Sequence, residues 1–166
     1  MWTTNTAFNT TVSAKWILSG EHSVLRGKPA LAFPHSEFKL SLSYRSDSSS
    51  QIPDACKVLL ERAIKWLHEK NIAHHITSPA GAMTIDSTIP TAAGFGSSAA
   101  LCVAVARFAF WMAQKEEPSS EKVIALATHL EDVFHGKSSG LDVSVIAIHQ
   151  PLFYQAQKPL EFLNLS

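Results

Sequence analysis

The first half of the chain alternates apolar with polar residues, a pattern that predicts β-strands. Residues 10–18 carry β-forming side chains and stop at a Ser-Gly break, so we expect a strand there. Strict alternation over residues 38–44 predicts another strand with one buried face. Shorter strands are predicted at residues 30–33, 72–77, 82–85 and 152–155.

Helical spacing dominates most of the remaining chain. The segment that opens at Pro53 repeats apolar residues at helical intervals and predicts about four turns. Residues 97–114 are apolar nearly all round, which is typical of a helix buried at the centre of a domain. Residues 118–121 predict the start of another helix, which runs to about Phe134 and ends at Gly136. The apolar positions of the first helix are Val58, Leu59, Ala63 and Leu67.

The order of these elements favours an α+β fold, because strands come first and helices mostly later. The 166 residues contain no internal repeat and no long linker, so we expect one domain over residues 1–166. The last part of the chain carries apolar residues that we expect to be exposed and to meet a partner, either a C-terminal domain or another subunit. These residues are Leu152, Phe153, Leu160, Phe162 and Leu163.

Composition narrows the function classes. Formal net charge is zero and no Lys/Arg cluster occurs, which argues against nucleic-acid binding. The longest apolar run, residues 99–113, is interrupted by Arg107 and is shorter than the ~20 residues of a membrane span, so no membrane span is predicted. No secretion signal is visible, and Cys56 and Cys102 lie in apolar helical segments without metal-ligand spacing. We therefore expect a cytoplasmic protein with reduced, packing cysteines.

The most informative segment is residues 90–100, with the sequence Pro-Thr-Ala-Ala-Gly-Phe-Gly-Ser-Ser-Ala-Ala. It reads as a glycine-rich loop that leads into the buried helix. The free N–H groups and the positive end of the helix dipole would face whatever fills the loop. Such a place binds anions, most often phosphate. A plain glycine turn that caps a core helix remains the alternative.

Other glycine-loop chemistries fit less well. A dinucleotide fingerprint Gly94-x-Gly96-x-x-Ala99 needs a strand directly before its first glycine, and Pro90 intervenes. The Walker A pattern is absent. A nucleophile elbow around Ser98 lacks its last glycine, although an acid and a histidine follow in hydrolase order, at Asp142 and His149.

Two further clusters carry ionisable groups. Lys15, in the first predicted strand, is followed by Glu21 and His22 on a glycine turn. Glu131 lies at the edge of a helical apolar stripe, where it could extend to solvent or point towards a metal. Asp142 lies in an apolar segment, where a carboxylate is costly unless it is paired, so a functional role and a structural cap are both open.

Taken together and in this order, the three clusters resemble the GHMP kinase family, the kinases of galactose, homoserine, mevalonate and phosphomevalonate. The first motif is Lys-Trp-Ile-Leu-Ser-Gly-Glu-His-Ser-Val from Lys15, and the second is Gly-Phe-Gly-Ser-Ser-Ala-Ala at residues 94–100. The third places two acids, Glu131 and Asp142, eleven residues apart. The Gly-Glu-His-Ser-Val form is most similar to that of the kinases that act on mevalonate. The chain departs from the family pattern at Ser13-Ala14 (usually Pro-Gly), Phe95 (usually Leu) and Ser138 (commonly Pro).

The resemblance implies a fold: the GHMP kinase N-terminal domain, a mixed sheet with packed helices like domain 2 of ribosomal protein S5. It also implies a ferredoxin-like C-terminal domain, which is not recognisable in these 166 residues. Partners would be ATP and a small hydroxylated acid, most similar to mevalonate. Phosphomevalonate or another GHMP substrate, or a non-catalytic nucleotide-binding fragment, are the alternatives, and a homodimer is left open.

The resemblance also implies residue roles. Asp142 would accept the hydroxyl proton. Lys15 would keep the Asp142 carboxylate ionised. Glu21 and His22 would shape the substrate end, and Ser98 with Glu131 would hold Mg²⁺. The role predicted for His135 rests on its position and not on the resemblance. It lies at a helix C-terminus, where a positive charge is favourable. The residues expected to bind ATP are Gly94, Phe95, Gly96, Ser97, Ser98 and Ala99.

Overall fold

The computed structural model describes residues 7–49 and 51–163 as a five-stranded sheet packed against four α-helices. A single 3₁₀ turn, Val24–Arg26, follows the first strand. In chain order the elements are β1 (Ala7–Ser19), β2 (Ala30–Arg45), α1 (Asp54–Glu69), β3 (Ala82–Ser87), α2 (Ser97–Gln114), α3 (Ser120–His135), α4 (Leu141–Ile148), β4 (Leu152–Tyr154) and β5 (Glu161–Phe162).

The sheet is organised around β2. Strand β1 pairs along most of its length, while the two ends of β2 pair on the other side with β4 and β3. All of these pairings are antiparallel, and β5 adds to β4 at the edge. The α+β class is confirmed. Within the described residues, the parallel component of the expected mixed sheet is confined to one bridge, Gln51–Ala82.

A bulge explains why residues 30–45 form one strand, although the sequence predicts two. Ser13 pairs with Lys39 and the next residue of β1, Ala14, pairs with His35. Residues 36–38 of β2 are therefore looped out between two ladder segments. A bulge adds residues without ending the strand, so the interrupted alternation is accommodated.

Helix α2 is the centre of the core. It packs against α1, α3, α4 and β1, and its Phe108 and Phe110 are fully buried. By length and composition alone α2 could cross a membrane, but 56% of it is buried inside the protein, as expected of a core helix. Cys56 and Cys102 are free and buried, as predicted. Burial raises the pKa of the Cys56 thiol to about 11 and that of Cys102 further, so both stay protonated.

A smaller apolar cluster fixes α4 on the sheet. Leu141 and Val145 of α4 pack against Ala32 of β2 and Leu152 of β4. Because Leu141 is the first residue of the helix, this packing determines where α4 begins. It brings the start of α4 to the same side of the sheet as the buried part of β1.

Several expectations about local structure are wrong. Residues 72–77 form no strand; Ala73 and Ile76 bury directly against the core without a pairing partner. Val58 is 49% exposed, and the buried stripe of α1 runs through other residues: Cys56, Leu59, Leu60, Ala63 and Leu67.

The expected apolar surface at the end of the chain is also smaller than predicted. Leu152 is fully buried under α4, and Phe153, Leu160 and Leu163 are partly buried. Phe162 is the residue of this group that is exposed, because it lies on the short edge strand β5.

Candidate active site

Lys15 of β1 belongs to a buried stretch beside the bulge of β2. Four successive residues of β1, 12–15, are buried, whereas a strand with one buried face would bury only every second residue. Lys15 is only 2% exposed, and its Nζ lies 2.8 Å from Oδ2 of Asp142. A buried ammonium group is costly without a partner, so this ion pair is required by the position of Lys15.

Asp142 lies in the first turn of α4, behind the left-handed Gly140. Burial raises the pKa of its carboxyl group, Lys15 opposes that rise, and Glu21 adds to it. A carboxylate with a raised pKa is a better proton acceptor than an exposed one. Its pairing with Lys15 meets the expectation that a carboxylate in this apolar segment needs a partner.

Glu131 of α3 is buried, so the interpretation that it extends to solvent is wrong. Its carboxylate accepts a hydrogen bond from the Ser138 hydroxyl. Burial raises the pKa of Glu131, and that hydrogen bond partly offsets the rise. Ser138 also receives a hydrogen bond from the Gly140 N–H at 3.1 Å and donates its own N–H to Asp132 at 2.8 Å. Ser138 thus ties the end of α3 to the turn before α4.

The glycine-rich loop precedes α2, as predicted, and is fixed to β1. Gly94 and Gly96 both have left-handed backbones, with φ of 77° and 76°. The carbonyl of Phe95 accepts a hydrogen bond from the Lys15 N–H at 3.1 Å. A Cβ on Gly96 would lie 2.9 Å from Cε of Lys15, so only glycine leaves room for the lysine. The Ala99 side chain is fully buried, so only its backbone could face a ligand.

Ser98 contacts His135, which lies at a helix C-terminus as predicted but was not expected to contact the glycine-rich loop. Its Oγ lies 3.1 Å from Nε2 of His135, the last residue of α3. His149 instead lies against Ser13, with 2.9 Å between Nδ1 and Oγ. The fold therefore does not bring Ser98, Asp142 and His149 together as a hydrolase triad.

Two clefts meet at the Lys15–Asp142 pair. One, of about 360 Å³, is lined by the glycine-rich loop together with Lys15, and the other, of about 330 Å³, by Glu131 and the turn after β1. Asp142, Glu21 and His135 line both clefts, so an acceptor in one could meet a donor in the other beside Asp142.

The second cleft contains residues that the sequence analysis missed. Lys137, Ser138 and Ser139 give it polar lining beside Glu21 and His22. These residues lie inside the third motif, which was the available sign in the sequence that they belong to the site. The motif alone does not tell which of its residues face the cleft. The opposite wall is apolar and consists of Ile17, Val24, Leu25 and Leu141.

The donor set can be tested against Mg²⁺. Among the described residues no group of three or more His, Cys, Asp or Glu side chains is arranged to hold a metal. Mg²⁺ that accompanies a nucleotide needs less: one or two protein oxygens, with phosphate and water completing its shell. The buried carboxylate of Glu131 and the Ser98 hydroxyl are oxygens of this kind; Ser98 hydrogen-bonds His135, which is within electrostatic range of Glu131. The types of donor present therefore suit this ion.

Comparison with known proteins agrees with this geometry. The family model for the GHMP kinases N terminal domain matches residues 58–150, more than half of the chain. Mevalonate kinases of Thermococcus gammatolerans and Pyrococcus furiosus are 34% and 30% identical over 92% of this chain. The crystal structure of mevalonate kinase from Staphylococcus aureus superposes with a TM-score of 0.69 at 28% identity, over 96% of this chain and 56% of that one.

The chain spans about half the length of the curated relatives it matches, 53% in both cases. The part matched by the family model nevertheless contains the glycine-rich loop, Glu131 and Asp142. On this basis the chain belongs to the GHMP kinase family.

Proposed function

We propose that residues 1–166 form the ATP-binding and catalytic domain of a kinase that transfers the γ-phosphoryl group of ATP to a hydroxyl group of mevalonate. The observation that carries the proposal is the ion pair between the buried Lys15 and the half-buried Asp142, where two clefts meet. One cleft has backbone donors suited to a polyphosphate, and the other has a mixed polar and apolar lining suited to a small hydroxy acid. The names of the curated relatives favour mevalonate as that acid.

The proposed chemistry follows from the ion pair. Asp142 accepts the hydroxyl proton while the oxygen attacks the γ-phosphorus and ADP leaves. Its raised pKa suits that role. Lys15 keeps Asp142 ionised and stabilises negative charge on the attacking oxygen and the transferred group. Phosphoryl transfer needs little more from a protein than alignment and charge neutralisation.

The phosphates of ATP lie at the start of α2 in this proposal. The N–H groups of residues 94–98 bind phosphate oxygens, and the helix dipole adds to the attraction. Ser98 and Glu131 hold Mg²⁺, which when bound neutralises phosphate charge. Ser97 lines the same cleft.

The hydroxy acid occupies the second cleft. Its hydrocarbon part packs against the apolar wall that includes Ile17 and Leu25. Its carboxylate pairs with Lys137 or His22, and Glu21 limits how far a second negative group can enter. Because the cleft offers both an apolar wall and a cationic side chain, it suits a branched acid better than a sugar.

Other aspects of the proposal rest on the family resemblance. We propose a cytoplasmic protein that binds neither nucleic acid nor a membrane, and that works with a ferredoxin-like C-terminal domain. A homodimer is compatible with this arrangement. Phosphomevalonate or another GHMP substrate would use the same chemistry, and a nucleotide-binding fragment without turnover is the alternative from a different class.

The test is a Mg²⁺-dependent ADP-release assay with mevalonate, phosphomevalonate, homoserine and galactose. It is run on this chain and on a longer version that carries the family's C-terminal domain. We expect turnover with mevalonate in the longer version. Turnover with another acceptor would reassign the substrate, and ATP binding without turnover in either form would favour the nucleotide-binding fragment.

A further inference from the structure

His135 lies between the two groups of side chains that the proposed reaction needs. It is the last residue of α3, it is exposed, and it lines both clefts. Its Nε2 lies 3.1 Å from the Ser98 hydroxyl oxygen on α2. Glu131 and Asp142 are both within electrostatic range of the same ring. One side chain thus connects the glycine-rich loop with the acidic positions.

The chemistry of a serine hydroxyl gives this contact a direction. A hydroxyl has one hydrogen to donate and two lone pairs to offer. A serine that binds a cation must keep a lone pair free and place its hydrogen elsewhere. A neutral imidazole that carries its hydrogen on Nδ1 can accept the Ser98 hydrogen at Nε2. Both lone pairs of Ser98 then remain available to a ligand.

Without His135 as its acceptor, the Ser98 hydroxyl can turn to other hydrogen-bond partners. A serine in the first turns of a helix can rotate and bond to nearby backbone groups. Among the described residues, the one side-chain partner found for the Ser98 hydroxyl is His135. Its orientation therefore depends on a residue that is distant in sequence and belongs to a different helix.

We propose that His135 is a positioning residue for the nucleotide: it accepts the Ser98 hydroxyl hydrogen and so directs that oxygen towards the Mg²⁺ that accompanies ATP. This inference rests on the proposed function, because it needs ATP at the start of α2. It assigns His135 a role beyond the favourable charge at the end of α3. The ring itself touches neither the transferred group nor the acceptor.

A merely structural role predicts different behaviour. His135 is exposed and its closest ring neighbour is the exposed Phe134, at a centroid distance of 6.5 Å. Removing the imidazole should therefore leave the fold and the glycine-rich loop intact. The backbone donors of the loop would still bind ATP without metal, while the contribution of the metal would fall.

The test measures ATP dissociation constants by calorimetry, once with Mg²⁺ and once with EDTA. We expect H135A to weaken binding in Mg²⁺ about 3- to 10-fold, the size of one hydrogen bond, and in EDTA by less than about twofold. H135Q keeps an acceptor and should regain most of the affinity. In an S98A background, H135A should have no further effect, because the two side chains act as one unit.

The matched control is H149N. His149 also ends a helix and hydrogen-bonds a serine, Ser13, but outside both clefts. Asparagine tolerates its left-handed backbone, so we expect unchanged affinity in both conditions.

The outcomes separate the two proposals. Four results would each overturn the role of His135 alone. These are equal weakening of ATP binding with and without Mg²⁺, an additive loss of affinity in the double variant, H135Q as weak as H135A, and no loss of affinity in H135A. Wild-type protein that binds ATP in neither condition would overturn the proposed function and this inference together. Covalent labelling of Ser98 by a fluorophosphonate, lost in H135A, would overturn both by making His135 the base of a serine hydrolase.

Discussion

Helices α2 and α4 begin with the same backbone geometry and offer opposite environments. Each follows a left-handed glycine, Gly96 or Gly140, and neither has a side-chain cap hydrogen bond. The first turn of α2 holds no acidic residue, whereas that of α4 holds Asp142. The positive end of α4 therefore already faces a carboxylate of the chain itself, and that of α2 is open to an anion from outside.

The surroundings of the two glycines differ in the same sense. A Cβ on Gly94, in the loop before α2, would meet nothing within 4 Å. A Cβ on Gly140 would lie 2.9 Å from the Tyr154 hydroxyl, which itself donates to the Ser139 carbonyl. The loop before α2 has open space at Gly94, although Lys15 packs against Gly96, whereas the start of α4 is filled and held by side chains. Lys15 joins them, since its N–H bonds the loop and its ammonium group bonds Asp142.

The largest expected effect comes from breaking that link. K15M and D142N should each retain ATP binding and lower kcat on the order of 10²–10⁴-fold, because the proton acceptor or its charge partner is lost. Kinetics with mevalonate on the longer version of the protein, alongside ATP binding, check this. The control pair is K57M and D54N, whose ion pair has the same 2.8 Å separation but is exposed. Near-full activity in K15M or D142N would refute the role given to that residue.

The second prediction compares two glycines of one loop. G96A should lower kcat about 10- to 100-fold, since its Cβ would displace the Lys15 side chain as well as strain the backbone. G94A has the same backbone strain, of about 1–2 kcal/mol, and no collision. We expect it to lower the free energy of unfolding with much less effect on kcat. Equal kcat values in the two variants would show that Gly96 does not protect Lys15.

Much of this comparison was accessible from the sequence. The glycine-rich loop and α2 follow from the local pattern, and motifs of neighbouring residues drew attention to Lys15 and Asp142. The contacts of His135 and Ser138 were not accessible. The contact of His135 joins two helices and depends on how α3 packs against α2, and Ser138 lies in the turn between α3 and α4.

The same distinction explains the errors in the predicted fold. Residues 72–77 have strand-forming side chains but find no neighbouring strand, so tertiary context decides against the local pattern. Residues 30–45 became one strand because a bulge relative to β1 absorbs the break. Lys15 is buried next to this bulge, and nothing in the alternation of β1 indicates where the bulge falls.

The third prediction tests whether side chains hold the start of α4. S138A removes the hydrogen bond to Glu131 and the one from the Gly140 N–H. The two losses together should lower the free energy of unfolding by about 1–2 kcal/mol, or Tm by roughly 2–8 °C. Thermal unfolding measures this directly. S119A is the control, because Ser119 precedes α3 without a side-chain cap hydrogen bond. A Tm loss no larger than that of S119A would contradict the account.

The smallest expected effect comes from the free-energy cost of burying the charged Glu131 carboxylate. Burial raises the pKa of Glu131 above its ordinary value of 4.5, so folding favours the protonated form. A group whose pKa is raised on folding contributes stability that is fully present below its unfolded pKa and is lost as the pH rises through its folded pKa. E131Q should therefore stabilise the protein at pH 7 and raise its Tm. The gain should vanish below about pH 4, where the native glutamate is also protonated.

Glutamine makes this a clean comparison, because its amide oxygen can still accept the Ser138 hydroxyl hydrogen. E69Q, at an exposed position at the end of α1, provides the control and should change Tm little at either pH. In the same preparation E131Q should bind Mg²⁺-ATP more weakly, so stability and ligand affinity would move in opposite directions. A carboxylate kept at a cost to the fold is understandable if it serves a ligand. If E131Q were instead less stable at pH 7, Glu131 would belong to the structural framework of α4, and the contrast between the two helix starts would lose its functional meaning.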